Sequence, residues 1–368
     1  MVPAASYEAR RYGINSAMAS ARARQLCPDG VFLPVDMRYY RMMSHRIFSE
    51  VFSQITDRIE QVSVDECYMD VSGALLRWGS PSAIGAWVRR QVAARYHVTC
   101  SVGIAANKLV AKMASTNAKP DGMLLIPKAR HAEFVQIMPL RGIPGIGPSL
   151  ERRLNAWGID SVADLAATPE ATLAQATGSA TVAHGLMLAS HGIDEREVTP
   201  YTPEKSIGSE RTFAADTTDM HTVNTLLRRC CDEVASTLRK RGLMARTVTV
   251  KLRFNDLSYR TKAHTMDRPT DTAGVLYPQS TALLKAMLGL PPDAGEDTPL
   301  PRQVRLAGVS ASGLAEREST PVQMSIDDLL EQDTASSGQT RSARLRDAEQ
   351  ALDAIRQRYG KGAASIGL

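Results

Sequence analysis

In residues 58–73, RIEQVSVDECYMDVSG, two acids stand side by side in an otherwise largely apolar run. A β-strand sends successive side chains to opposite faces, so Asp65 and Glu66 cannot both hide in one core. Either the acids of a surface strand face solvent, or the strand end is a place where carboxylates are wanted. Hard divalent cations take carboxylate oxygens, and phosphoryl transfer uses such cations to hold phosphates and offset their charge. Adjacent acids are common, so the pair alone leaves both readings open. A two-ion site would also want a further carboxylate nearby.

The flanking pattern constrains the fold around this run. A helix is predicted through YYRMMSHRIFSEVFSQIT, where Met43, Ile47, Val51 and Ile55 recur every four residues. PSAIGAWVRRQVAARYH reads as a second helix. VTCSVGIAA reads as a strand with Val98, Cys100, Val102 and Ile104 on one face. NKLVAKMASTNAKPDG reads as a third helix, closed by a type I turn with Pro120 and Gly122. Strand, helix and strand in this order predict an α+β domain. From about Lys128 the pattern is helical with short connections, ending in a linker-like stretch, ASHGIDEREVTPYTPEK. A second α+β unit is predicted from Ser206 to about Ala315. Beyond it, EQDTASSGQTRS is poor in apolar residues and reads as flexible. A last amphipathic helix should use Leu345, Ala348, Leu352 and Ile355.

Composition removes several classes. The chain has 368 residues, 43% hydrophobic and 23% charged, with no run long enough to span a bilayer and no apolar leader at its start. Its five cysteines are odd in number and form no CxxC pair, which argues against a disulfide framework or a zinc ribbon. A cytoplasmic protein without a membrane partner is expected. The net charge is only +5, yet Ile207–Met266 holds 11 Lys/Arg against 6 Asp/Glu. That local excess points to a polyanion partner.

Four further motifs bear on chemistry. In SYEARRYG, Tyr7 and Arg10 lie three apart on one side of a helical turn, where Arg10 can fork onto a phosphate and Tyr7 can donate a hydroxyl. An ordinary helix start fits equally well. In the third helix Lys108, Lys112 and Ser115 share a face and Lys119 follows in the turn; these lysines either reach a triphosphate or sit on a solvated face. In LRGIPGIGPSLERRLNAWGI, Gly145 and Gly147 flank a lone isoleucine between two short helices, with Pro148 suited to a first turn and Leu150, Leu154 and Trp157 as the apolar stripe. Glycines there let backbone N–H groups meet a phosphate, which is how a helix-hairpin-helix grips DNA without reading its sequence. In TVTVKLRF and YRTKAH, Lys251 and Arg253 on one strand and Arg260, Lys262 and His264 on the next would form one basic platform for phosphates. A half-exposed sheet without a ligand is the plainer alternative.

Taken in order, SYEARRYGINSAM, SVDECYMDVSG, SVGIAANKLVAKMASTNAKPDG, IPGIGPSLERRL and KSIGSERTF resemble the Y family of lesion-bypass DNA polymerases, over roughly Ala4 to Leu314. The resemblance implies an α+β multidomain right hand: fingers over 1–37, palm over 38–126, helical thumb over 127–193, a linker over 194–205, an α+β little finger over 206–316 and a tail over 317–368. It implies primer-template DNA and deoxynucleoside triphosphates as partners, two Mg²⁺ ions, and a monomer. Asp65 resembles the family's metal-binding aspartate and Glu66 its adjacent catalytic glutamate. Tyr7, Arg10 and Lys119 match the triphosphate-holding positions, and Gly145 and Gly147 match the thumb hairpin. Lys251, Arg253, Arg260 and Lys262 match the little-finger strands.

In that family a first palm strand ahead of SYEAR carries another metal-binding aspartate and an aromatic gate against ribonucleotides. This sequence has neither, so the further carboxylate is missing and impaired synthesis is expected. QMSIDDLL resembles the peptide that docks bacterial polymerases onto the sliding clamp, with Gln323, Met324 and Ile326 as contacts, although Asp327 stands where an apolar residue is usual. A helix starting near Ser325 is the other reading of that stretch. Two alternatives stand beside the polymerase. A non-catalytic DNA-binding accessory of the same family would have little use for Asp65 and Glu66. A nucleotidyl cyclase would have none for the glycine hairpin or the basic sheet.

Overall fold

The acid-bearing run folds as a hairpin rather than as one strand. In the computed structural model, which describes residues 1–318, 341–360 and 363–364, β1 (Ile59–Gln61) pairs antiparallel with β2 (Cys67–Met69), and Asp65 and Glu66 occupy the turn between them. A turn has no inner face to satisfy, so the adjacent acids cost the core nothing. The described residues divide into two units, Met1–Thr202 and Pro203–Leu368.

The first unit begins with α1 (Tyr7–Arg11), α2 (Ser20–Leu26) and α3 (Met37–Glu50). Ser6 and Asp36 cap α1 and α3 by accepting from backbone N–H groups three residues on. The four-residue apolar spacing after Met43 continues past the helix end. Val51 and Ile55 are buried against Ile84, Val88 and Val92, and Met43 and Ile47 pack at the margin. After the hairpin come α4 (Leu75–Trp78) and α5 (Pro81–Tyr96), which Ser80 caps with Pro81 in the first turn. The next strand, β3 (Val102–Ile104), is shorter than its alternating sequence predicts, and it pairs parallel with β4 (Met123–Leu125) across α6 (Lys108–Asn117). A Cβ on Gly103 would run into the Ala111 carbonyl and the Ser115 N–H, so glycine there lets α6 lie backbone to backbone on β3. The turn after α6 is not type I: the Lys119–Pro120 peptide is cis and Asp121 has φ +42°.

The helices α7 (His131–Gln136), α8 (Pro148–Asn155), α9 (Val162–Ala167), α10 (Glu170–Thr177) and α11 (Ala180–Ser190) share a core with α6, built on Val110, Met113, Val135, Leu154, Leu165 and Leu173. Of the expected α8 stripe, Leu154 is buried and Leu150 packs beside it, but Trp157 is exposed. The reason is local: α8 ends at Asn155, and Gly158 at φ +74° turns the chain away. The stretch after α11 is stitched to the same unit rather than hanging free. Asn107 donates to the Gly192 carbonyl at 2.8 Å, the Leu109 N–H to Asp194 at 2.9 Å and the Thr199 N–H to Glu60 at 2.9 Å.

The second unit is an antiparallel sheet in the order β5 (Ser206–Thr217), β8 (Val304–Glu316), β6 (Leu243–Phe254), β7 (Tyr259–Thr270), packed against α12 (Met220–Lys240) and α13 (Ala273–Leu288). The alternation in β6 holds: Val248, Val250, Leu252 and Phe254 are all buried against Leu227, Val234 and Leu284. The last described helix, α14 (Arg341–Tyr359), docks differently from its apolar pattern. Leu345 and Leu352 are half-buried as expected, but Ala348 and Ile355 are exposed, and the docked face centres on Glu349, which is 1% exposed. The surface beneath explains this, because it offers the Arg239 guanidinium and the free N–H groups of Ala273 and Gly274, all of which donate to Glu349. The stretch EQDTASSGQTRS falls mostly outside the described residues. No helix among the described residues is long and apolar enough to cross a membrane.

Candidate active site and nucleic-acid interface

The hairpin tip is built by three backbone and side-chain constraints. The Val62 and Ser63 N–H groups both donate to the Glu66 carbonyl, at 2.9 and 3.2 Å, which closes the turn. Ser63 donates its hydroxyl to the Asp65 carboxylate at 2.6 Å. Asp65 is exposed at the tip, and Glu66 reaches α6. Two lysines one turn apart on that helix meet the hairpin. Lys112 pairs with Glu66, and Lys108 pairs with Glu60 through both carboxylate oxygens, at 2.9 and 2.7 Å. Ser115, expected on the same face as these lysines, instead donates to the Ser101 carbonyl at 3.1 Å.

The electrostatics separate the two acid positions. At Glu60 burial alone would raise the pKa, but hydrogen bonds from Lys108 and the Thr199 N–H outweigh it and hold the carboxyl below its ordinary value. Asp65 and Glu66 are more open to solvent, which suits groups that must exchange partners. Cys67, next along β2, is free, and burial with Cys100 nearby pushes its thiol up to about 12. It stays protonated at neutral pH and offers neither a nucleophile nor a metal ligand.

Tyr7, Arg10 and Lys119 are all exposed. Arg10 stands 5.9 Å from the Tyr7 ring centroid and donates to the Ala5 carbonyl at 3.2 Å and to Asn15 at 3.5 Å. These contacts hold the pair on one short helix, while Lys119 lies in the turn after α6. Asp65 and Glu66 fit a divalent cation as oxygen donors, but only in part fit two: among the described residues no group of three His, Cys, Asp or Glu stands together. Sequence reading missed Glu60, Asp194 and Arg196, since nothing local marks an acid as the partner of a lysine 48 residues away.

The glycine hairpin has the expected geometry. Gly145 has φ +102°, a conformation that L side chains rarely adopt, and Gly147 is the N-terminal cap of α8 with open space where a Cβ would stand. No side chain caps the first α8 turn, and Arg152 and Arg153 stand in its last turn.

The two basic strands do not form one platform. Opposed residues of an antiparallel pair share a face, and Lys251 stands opposite Thr261 while Arg260 stands opposite Leu252 and Lys262 opposite Val250. Lys251 and Arg253 therefore lie on the face away from α12 and α13, with Thr247, Thr249, Ser310 and Ser312. Lys251 pairs there with Glu210 at 2.8 Å, and both basic groups stand over the Tyr259 ring, at 5.0 and 4.8 Å. Arg260, Lys262 and His264 project to the helix side. They stay exposed because β7 is an edge strand, and Arg260 donates to the Met287 carbonyl at 2.9 Å. The expected clamp contacts Gln323, Met324 and Ile326 lie outside the described residues.

Comparison with known proteins gives a consistent assignment. The impB/mucB/samB family matches residues 1–116, its C-terminal domain matches 204–326, and a SAM-like helix-hairpin-helix tandem matches 137–180. The DNA polymerase IV of Desulfatibacillum aliphaticivorans is 35% identical over 364 residues, covering 98% of this chain and 86% of that protein. The DNA polymerase IV of Methanoculleus marisnigri is 39% identical over 315 residues, covering 85% and 83%. Among solved structures, a Y-family DNA polymerase chimera, Dbh-Dpo4(243-245)-Dbh, superposes with TM-score 0.72 at 25% identity, covering 84% of this chain and 86% of its own. An insertion ternary complex of Dbh DNA polymerase gives TM-score 0.55 at 25% identity, covering 83% and 85%. With its acid pair on a hairpin tip, its glycine hairpin and its basic sheet, the chain belongs to the Y family of DNA polymerases, close to DNA polymerase IV, and is a DNA-directed DNA polymerase.

Proposed function

We propose that the carboxylates at the hairpin tip, Asp65 and Glu66, carry template-directed nucleotidyl transfer from a deoxynucleoside triphosphate to a primer end in translesion synthesis. The observation that carries this reading is their position: both stand in the turn between β1 and β2, where Asp65 is exposed and Glu66 meets Lys112 of α6. A divalent ion such as Mg²⁺, held by Asp65 and Glu66, would offset phosphate charge there. Lys112 pairs with Glu66 and orients its carboxylate. Lys119, Arg10 and Tyr7 are suited to the triphosphate by charge and exposure. The backbone N–H groups after Gly145 and Gly147 would grip the duplex backbone, and Lys251 and Arg253 would follow it along the open sheet face, with Arg260 and Lys262 at the rim.

In the domain reading, fingers span 1–37, palm 38–126, thumb 127–193 and little finger 206–316. A sliding-clamp partner for Gln323, Met324 and Ile326 rests on the sequence. Because the described residues supply two clustered carboxylates rather than three, slow primer extension is the expected behaviour of this chain. The test is extension of a primed template with four deoxynucleotides and Mg²⁺, with Asp65→Ala as control. A rate well below that of the Desulfatibacillum enzyme, and lost in the control, supports both parts. An equal rate overturns the impairment, and an unchanged control overturns the site.

A further inference from the structure

Helix α6 makes two ion pairs to one hairpin, one helical turn apart, and they differ in kind. Lys108 and Glu60 are 11% and 23% exposed in their side chains, whereas Lys112 and Glu66 are 31% and 41% exposed. Around the inner pair the hydrogen bonds are complete. Lys108 donates to both Glu60 oxygens and to the Glu197 carbonyl at 2.9 Å, which engages all three of its N–H groups, and its ammonium stands 5.3 Å from the Tyr68 ring centroid. Glu60 also accepts from the Thr199 N–H, and one helical position on, Asp194 accepts from the Leu109 N–H while Arg196 chelates it at 2.7 and 2.9 Å. Strand β1, the start of α6 and residues 192–199 thus meet at one shielded carboxylate.

We propose that Lys108 and Glu60 are the positioning pair of the active site: they fix the distance between α6 and the hairpin so that Lys112 can release Glu66 without the carboxylate-bearing tip moving. This rests on the reading of Asp65 and Glu66 as the reacting-centre acids. A solvent-exposed pair contributes little and exchanges readily, while a shielded pair with every donor satisfied holds its geometry. The outer pair is then the one free to trade Lys112 for a cation or phosphate. The inner pair is held, because Glu60 accepts from two directions, from Lys108 at both oxygens and from the Thr199 N–H.

The experiment uses the full 368-residue chain with Lys108→Met, Glu60→Gln and Lys108→Arg. Amide exchange read by mass spectrometry should rise about tenfold or more in the peptides covering 59–69 and 193–199 in the first two variants, with α9–α11 and the second unit unchanged. Single-turnover nucleotide incorporation should slow about tenfold, with the Kd for primed DNA unaltered, since small misplacements of reacting groups cost at least that much. Lys108→Arg, whose guanidinium also chelates a carboxylate, should recover part of both. Unchanged hairpin exchange would overturn the proposal. Equal loosening of the whole first unit, or weaker DNA binding without a slower step, would reduce the pair to a structural one and overturn it as well. If Asp65→Ala leaves incorporation intact, the site reading fails, while the exchange data still decide whether the pair fixes the hairpin.

Discussion

Replacing Glu349 by alanine should unfold the second unit at a markedly lower temperature. Glu349 is 1% exposed and faces Arg239, whose side chain is 5% exposed; it also accepts from the Ala273 and Gly274 N–H groups at 2.9 and 3.0 Å. The latter two are first-turn donors of α13, and its own cap residue, Thr272, makes no side-chain cap bond. One carboxylate from a distant helix therefore caps α13 and neutralises a buried guanidinium. Removing one partner of a buried ion pair costs about 3–5 kcal/mol, because the other charge is left uncompensated. Arg239 keeps Asp353 at 2.7 Å, which places the loss near the low end, about 3 kcal/mol. For a unit of this size that lowers Tm by about 6–12 °C. Calorimetric melting of the whole chain measures it, with Glu349→Gln between the two because its amide oxygen still accepts. The pair Arg239→Leu with Glu349→Leu should recover much of the loss, since apolar replacements of a buried pair are often neutral. A shift under about 2 °C for Glu349→Ala, or a double variant that melts at the sum of the singles, would rule out this role for Glu349.

Other outcomes follow from single residues. Gly145→Ala should destabilise the helix-hairpin-helix by about 1–2 kcal/mol through its φ of +102° although nothing crowds the new methyl, and denaturant melting that shows no loss would contradict it. Lys251→Ala should reduce the slope of log K against log salt for duplex DNA by about 0.9, and Arg260→Ala should change it less, because the two point to opposite faces of the sheet; equal slopes would restore the single platform. Asp194 has its carboxyl held low: burial would raise it, but hydrogen bonds from Arg196 and the Leu109 N–H win. Its stabilisation is therefore present above the unfolded value of about 3.9 and is lost as pH falls through the depressed folded value. Between pH 7 and 3 the urea midpoint should fall further for the native chain than for Asp194→Asn, and parallel falls would exclude Asp194 as a source of acid sensitivity.

Periodicity carries far in this chain. The four-residue spacing from Met43 to Ile55 and the alternation from Val248 to Phe254 both mark buried faces correctly, because core burial repeats at the period of the element that makes it. Asn107, Ser80 and Asp36 mark helix starts for the same local reason, since a cap acts within three residues. The motifs around Tyr7, Asp65, Lys119, Gly145 and Ile207 point to the family by their order along the chain, which is a property of sequence and needs no distance between them.

Local pattern thus sufficed for the main helices of the first unit, the buried face of β6, the acid pair and the kind of enzyme. Tertiary structure decided the rest. It turned the acid run into a hairpin tip, placed Lys251 and Arg260 on opposite faces through register, and docked α14 by Glu349 together with only part of its apolar stripe. It also chose Glu60 for Lys108 and Glu66 for Lys112. These choices depend on distances between residues far apart in the chain, and local pattern holds no record of them. Register in particular is a relation between two strands, and a shift of one residue reverses every face.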